Sequence, residues 1–175
     1  MYDQDHRGEP STAAIGGHPI HPMLVPFPIA FLVGTLASDI AYMSTGDAFW
    51  ARASIWLLGA ALVSGAFAAV AGLIDFATVR SARIRAGWIH ALGNVTAVLM
   101  SVISFILRMS QTDPLVTGGE LTLSLVVVGL LLVTGWLGGE LVFRYRIGMV
   151  GGRRASEVPP AGTPTYDRGA RHAAE

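Results

Sequence analysis

Four long apolar runs, separated by short polar segments, dominate the hydrophobic pattern of the chain. They cover residues 22–43, 53–75, 86–107 and 121–143. Each run is close to the roughly 20 helical residues that cross the hydrocarbon core of a bilayer. Because the polar segments between the runs are short, consecutive helices must be antiparallel. The pattern therefore predicts an all-α fold, namely an antiparallel four-helix transmembrane bundle.

The two ends of the chain are polar. Residues 1–17 mix both charges with small residues, and residues 149–175 are rich in proline and small residues. Segments of this composition bury too little apolar surface to become ordered. We therefore expect a flexible tail at 1–17, a membrane domain at 18–148 and a disordered tail at 149–175. No repeat is evident between the first two runs and the last two.

Composition supports the membrane class and excludes several chemistries. Charged residues make up 14% of the chain, against roughly 25% in soluble domains. The chain contains no cysteine, which excludes disulfides, thiolate metal sites, iron–sulfur clusters and cysteine nucleophiles. No nucleophile–base pair or phosphate-binding loop is evident, so a hydrolase or a kinase is disfavoured.

The arginines predict how the bundle is oriented. All twelve basic residues are arginines, and those close to the spans are divided unequally between the two faces. The face that carries both termini has Arg7, Arg80, Arg83, Arg85, Arg144, Arg146, Arg153 and Arg154, whereas the other face has Arg52 and Arg108. The positive-inside rule then predicts that both termini are cytoplasmic. We interpret the arginine-rich loop at 78–85 as a topology signal and expect no nucleic-acid partner.

One helix face in the third run is polar. His90, Asn94, Ala97, Ser101 and Ser104 are spaced by four, three, four and three residues, which places them on one side of a helix. Unsatisfied polar groups are costly in hydrocarbon. We therefore expect this face to point into the bundle.

Ionisable residues from all four runs are predicted to meet at the cytoplasmic end. His18 and His21 precede the first run, Asp75 ends the second, His90 lies one turn into the third, and Glu140 lies near the end of the fourth. An ionisable residue within the membrane marks a functional site by default. These five residues are therefore the candidate ligands.

The geometry of the first two histidines is left open by the sequence. Both precede a proline, which disfavours the α conformation, so we expect that neither begins a helix. In a polyproline II segment the imidazoles of His18 and His21 would be about 9 Å apart, too far to share a metal. A β-turn with Pro19 in its second position would bring the two Cα atoms to within roughly 7 Å.

Four motifs in order resemble one bacterial membrane family. They are GHPIHPMLVPFPIA before and within the first run, GLIDF at the end of the second, GWIHALGN at the start of the third and GWLGGELVFRYRIG at the end of the fourth. Together they resemble the domain of unknown function 2231, over roughly residues 16–148. The resemblance implies a four-helix domain of the bacterial inner membrane with no established activity.

The same resemblance implies redox company. Some members of that family look fused to Rieske or c-type cytochrome domains. Some relatives also carry a histidine where Pro26 stands here, and a haem ligand at that position would be missing from this chain.

Our leading hypothesis is a membrane protein that binds haem b or a metal ion in a redox role, with a redox partner. Histidine is a usual haem ligand, and four-helix bundles hold cofactors between their helices. His90 would be one ligand and His21 or His18 the other, with Asp75 or Glu140 orienting an imidazole. Alternatively, His18, His21 and His90 with Asp75 and Glu140 would bind a divalent metal such as zinc or iron.

The alternative hypothesis is a non-catalytic assembly or accessory subunit of the membrane. Its polar residues would only lock the bundle: His90 with Asn94 or a carboxylate, and Asp75 and Glu140 with Arg80, Arg83 or Arg144. Asp39 would bond Tyr42 or pair with Arg52. Small-residue faces on the second and fourth runs would suit a homo-oligomer. A proton path between Asp39 and Asp75 is a third reading, which the lack of ionisable groups in mid-bundle disfavours.

Overall fold

The computed structural model describes residues 9–113 and 115–148. Two short strands, β1 (Ala14–Ile15) and β2 (His18–Pro19), precede the helices. The helices are α1 (Ile20–Leu24), α2 (Pro26–Thr45), α3 (Ala48–Thr78), α4 (Arg85–Met109) and α5 (Gly118–Gly139). A 3₁₀ turn at Arg80–Arg83 joins α3 to α4, and a π-helical turn at Glu140–Arg144 extends α5.

Four helical stretches in the described chain are long and apolar enough to cross a membrane. They are Ile20–Thr45, Ala48–Thr78, Arg85–Met109 and Gly118–Arg144. The predicted all-α, four-helix transmembrane fold is therefore confirmed. At several ends the helices are longer than the apolar runs of the sequence. Arg108, for example, follows the third run and still belongs to α4.

The bundle is built from two helical hairpins. α2 packs mainly on α3, and α4 packs mainly on α5. Contacts of α2 with α5 and of α3 with α4 close the ring, so that α2 and α4 lie at opposite corners of the bundle. We call the end that carries Glu9, the α3–α4 turn and Gly148 the proximal end, and the end with the two hairpin loops the distal end.

Small residues fill the interior, and large apolar ones face outward. Ala51, Ala61 and Ala97 are buried, whereas Trp56 is 80% exposed and Trp136 is 78% exposed. Lipid is as apolar as a leucine side chain, so outward-facing apolar residues cost nothing in a membrane. Small interior residues let the helix backbones approach closely, which brings backbone carbonyls within reach of side chains on neighbouring helices.

Local capping fixes the two distal loops. Gly46 ends α2 with a φ of 68°, a left-handed conformation that glycine adopts without penalty. The Asp47 side chain then accepts the Phe49 N–H at the start of α3. At the start of α5, Thr117 and Glu120 form a capping box, in which each side chain accepts the backbone N–H of the other.

The N-terminal segment is attached to the proximal end of α3. The carboxylate of Asp75 accepts hydrogen bonds from Ser11 Oγ (2.8 Å), Thr12 N (2.9 Å) and Ala13 N (2.9 Å). Asp75 therefore holds the incoming chain and does not form the predicted pair with Arg80 or Arg83. Gly16 and Gly17, with φ of 57° and 80°, make the tight turn between β1 and β2.

Further contacts tie the same segment to the end of the described chain. Ser81 Oγ donates to the Glu9 carboxylate at 2.5 Å, and Gly148 N donates to the Glu9 carbonyl at 2.9 Å. Residues 9–17, expected to belong to a flexible tail, thus make defined contacts. The rest of the two predicted tails, 1–8 and 149–175, lies outside the described residues.

Candidate functional site

His21 lies in the first turn of a short helix although it precedes a proline, and, as expected, neither His18 nor His21 begins a helix. His21 is the second residue of α1, and Pro22 is the third. Proline is tolerated in the first turn of a helix, because its missing N–H would have no partner there. Neither the polyproline II nor the β-turn alternative is therefore realised, since His18 lies in β2 and His21 in α1.

The imidazole of His21 is seated against α3. Its Nδ1 lies 2.8 Å from the carbonyl oxygen of Ala68. One turn further along α3, a Cβ placed on Gly72 would lie 2.7 Å from the same Nδ1. Real Cβ atoms do not approach this closely, so the ring occupies space that only glycine leaves free.

The imidazole of His90 is seated against α5 in the same way. Its Nδ1 lies 2.8 Å from the carbonyl oxygen of Thr134. One turn further along α5, a Cβ placed on Gly138 would lie 3.1 Å from His90 Cε1. Each histidine thus uses a carbonyl and a glycine four residues later, on the partner helix of its own hairpin.

The two imidazoles contact each other across the bundle, although their spans lie at opposite corners. Their ring centroids are 6.3 Å apart and their planes cross at 85°. An Nδ1 that contacts a carbonyl must carry the proton, which leaves the lone pair on Nε2. No described residue makes a hydrogen bond with the Nε2 atom of either ring. We call His21, Ala68, His90 and Thr134, with the two glycines, the histidine layer.

The other predicted ligands do not join the histidine layer. His18 is exposed and its Nδ1 contacts the Gly16 carbonyl at 3.1 Å. Glu140 pairs with Arg144 at 2.8 Å, as one of the predicted alternatives has it. Within residues 9–113 and 115–148, no group of three or more His, Asp or Glu residues is placed to hold a metal ion.

Backbone carbonyls take the role that we assigned to carboxylates. We expected Asp75 or Glu140 to orient an imidazole, and this expectation is wrong, because Ala68 O and Thr134 O contact the Nδ1 atoms. Asn94 also departs from its expected role: its Nδ2 donates to the backbone carbonyl of His90 at 2.7 Å, not to the ring. A hydrogen bond between an imidazole and a backbone carbonyl has no signature in the sequence.

A buried ion pair occupies the distal end of the bundle. Arg108 Nη1 and Nη2 each donate to one carboxylate oxygen of Asp39, both at 2.8 Å. Both side chains are 0% exposed. The expected partners of Asp39, Tyr42 and Arg52, are therefore wrong, and Arg108 is a core residue of α4 instead of a loop residue at the membrane surface.

Serines complete the bonding of this ion pair. Ser54 and Ser124 donate to Asp39 at 2.5 and 2.6 Å. Arg108 donates in turn to Ser54 (2.8 Å), Ser124 (3.3 Å) and, through Nε, to Ser104 (3.2 Å). All five N–H groups of the guanidinium therefore have an acceptor. We call Asp39, Ser54, Arg108 and Ser124, one from each span, the arginine layer.

The arginine layer was missed by the sequence analysis, although one signal pointed to it. Arg108 lies four residues after Ser104 and so continues the spacing of the polar face that begins at His90. That spacing placed the residue inside the bundle, whereas its charge suggested the membrane surface.

Fold and site together define a four-span integral membrane protein with a pair of neighbouring histidines at one end and a buried ion pair at the other. The chain belongs to the family described as a predicted membrane protein, domain of unknown function 2231, whose model matches residues 17–151. This confirms the resemblance carried by the four motifs. Searches of curated proteins and of solved structures gave no match.

Proposed function

We propose that the protein binds one haem b between His21 and His90 and carries single electrons at the proximal face of a bacterial inner membrane. The close contact between the two imidazoles carries this proposal. If both Nε2 atoms bound the same metal ion at about 2.0–2.1 Å, the two ring centroids would be about 6 Å apart. The observed separation is 6.3 Å.

The donor set favours haem over a free divalent ion. A protein site for zinc supplies three or four ligands, whereas the described residues bring only two histidines together. A porphyrin supplies four nitrogens of its own, so two histidines complete its iron. The alternative of a metal held by His18, Asp75 and Glu140 is therefore the weaker one.

The remaining residues of the histidine layer orient the two ligands. The Ala68 and Thr134 carbonyls hold the proton on Nδ1, so that Nε2 is free to bind, and they increase the basicity of the ring. Gly72 and Gly138 give each ring its seat. When bound, haem would supply reversible one-electron chemistry, with a potential set by these ligands and by their burial.

Orientation follows from the arginine distribution. Because Arg108 is buried in the arginine layer, Arg52 alone remains of the two arginines counted at the distal face. The positive-inside rule then favours a cytoplasmic proximal end. The histidine layer would exchange electrons with a redox partner on that side, and the bilayer would surround the bundle.

An absorption spectrum of the detergent-purified protein, oxidised and then reduced with dithionite, tests the proposal. We expect a Soret band and a reduced α-band at about one haem per chain, lost in His21→Ala and in His90→Ala. His18→Ala is the matched control and should keep the spectrum. A folded, colourless wild-type protein that does not bind added haemin would overturn the proposal and favour the accessory-subunit reading.

A further inference from the structure

Several residues that meet inside the bundle, above all those of the first and third spans, are related by a separation of 69 positions along the chain. Asp39 and Arg108 are 69 positions apart, as are His21 and His90. Both pairs consist of residues in contact across the bundle. The same separation relates three pairs that line one small cavity next to the arginine layer: Leu32 and Ser101, Thr35 and Ser104, and Leu58 and Val127.

The two members of the ion pair have similar hydrogen-bond partners, although Ser54 and Ser124 are 70 positions apart and not 69. Asp39 has Ser54 of its own hairpin on one side and Ser124 of the other hairpin on the other side. Arg108 contacts the same two serines. Four residues before Arg108, Ser104 accepts its Nε–H. Four residues before Asp39 stands Thr35, which also carries a hydroxyl and lines the same cavity.

We infer that the chain is a repeat of one helical hairpin and that its two halves are related by an approximate two-fold axis. The arginine layer determines that the two hairpins pair with each other. Two residues at equivalent positions meet on such an axis. At the proximal end they are identical, as two histidines. At the distal end they are opposite charges, so each hairpin is complementary to the other and not to itself.

Electrostatics explains why the arginine layer contains two opposite charges and not two identical residues. If the first hairpin packed against the same hairpin of a second chain, two Asp39 carboxylates would meet in the buried layer. Two second hairpins would likewise bring Arg108 against Arg108. Uncompensated buried charge is strongly destabilising, so the layer favours pairing of the two hairpins within one chain over pairing with a copy.

The two-fold relation predicts what should happen when the charges at positions 39 and 108 are exchanged. Asp39→Arg places two arginines in the layer and Arg108→Asp places two aspartates, so each single variant should lower the unfolding temperature by roughly 10 °C or more. The double variant Asp39→Arg/Arg108→Asp should recover most of that loss. The arginine introduced at position 39 would keep both serines as neighbours and would have the Thr35 hydroxyl four residues before it, as Arg108 has Ser104.

The hydroxyls give a second, reciprocal readout in the full-length protein. Ser104→Ala should destabilise the wild type, and Thr35→Ala should affect it less. In the exchanged background the order should reverse, because the arginine Nε would then face Thr35. Thermal unfolding in detergent, with size-exclusion chromatography to score monomers, measures both series.

Two results would overturn the inference. One is a double variant that is as unstable as either single variant, which would mean that the two positions are not equivalent. The other is a rescued double variant in which Ser104→Ala remains the more damaging substitution. Neither readout depends on haem, so the outcome is independent of the proposed function.

Discussion

The histidine layer and the arginine layer are built alike but are bonded differently. Each takes one pair of residues from opposite corners of the bundle and supports it from α3 and α5. In the arginine layer every guanidinium N–H and both carboxylate oxygens have partners within the layer or its neighbouring serine. In the histidine layer only one nitrogen of each ring is used. A fully hydrogen-bonded network stabilises the fold, whereas two oriented imidazoles with unused Nε2 atoms are suited to bind a ligand.

Distance separates the two roles. His90 and Arg108 are 18 positions apart on the continuous helix α4, which is about 27 Å at 1.5 Å per residue. That length is close to the hydrocarbon thickness of a bilayer, about 30 Å. Changes in one layer can therefore be tested with little direct effect on the other.

Removing one charge of the arginine layer should have the largest effect. Arg108→Met leaves Asp39 buried without a counter-ion, and we expect a loss of about 3–5 kcal/mol in unfolding free energy. The double variant Asp39→Leu/Arg108→Met removes both charges and should recover most of that loss. Denaturant unfolding in detergent measures both. If Arg108→Met proved as stable as the wild type, the layer would not hold the bundle together.

Filling the space that the His21 ring occupies beside Gly72 should have the second-largest effect on stability. In Gly72→Ala the new Cβ would lie 2.7 Å from His21 Nδ1, so the ring must move, and overpacking of this kind costs about 1–3 kcal/mol. We also expect haem occupancy to fall. Gly65→Ala on the same helix is the control, because its Cβ would meet only Pro28 at 3.6 Å. Equal haem content in the two variants would argue against the seat.

The His90 seat should respond more weakly. In Gly138→Ala the closest approach is 3.1 Å, which a small ring displacement relieves, and we expect a cost of about 1 kcal/mol. The low-spin electron paramagnetic resonance signal expected of the proposed haem should shift, since it reports the angle between the ligand planes. Gly135→Ala, with open space at its Cβ, should leave that signal in place. An unchanged signal in both variants would separate Gly138 from the ligand geometry.

The smallest effect is expected for the histidine outside both layers. His18 is exposed, so His18→Ala should change the unfolding free energy by no more than about 0.5 kcal/mol and should leave the reduced spectrum intact. Haem titration followed by absorbance measures the second quantity. Loss of the α-band in this variant alone would assign the ligand to His18 instead of His21.

Hydropathy was sufficient for the fold, and helical spacing for part of the site. Runs of 22 or 23 apolar residues can be shielded from water only by crossing the membrane. The helical spacing of His90 and Ser104 placed both residues inside the bundle. The partners of Asp39 were not predictable, because a pattern along one helix does not fix its rotation against three others. The ring contacts were also hidden, since the Ala68 and Thr134 carbonyls belong to the backbone and not to a residue type.

The contact between Glu9 and Gly148 has a practical consequence. Because the backbone atoms of these residues are hydrogen-bonded at 2.9 Å, the two ends of the described chain leave the bundle side by side. A split reporter with one half joined at position 9 and the other at position 148 would have its two halves side by side at the proximal end. Reassembly of such a split reporter would reveal this neighbourhood in living cells without purification.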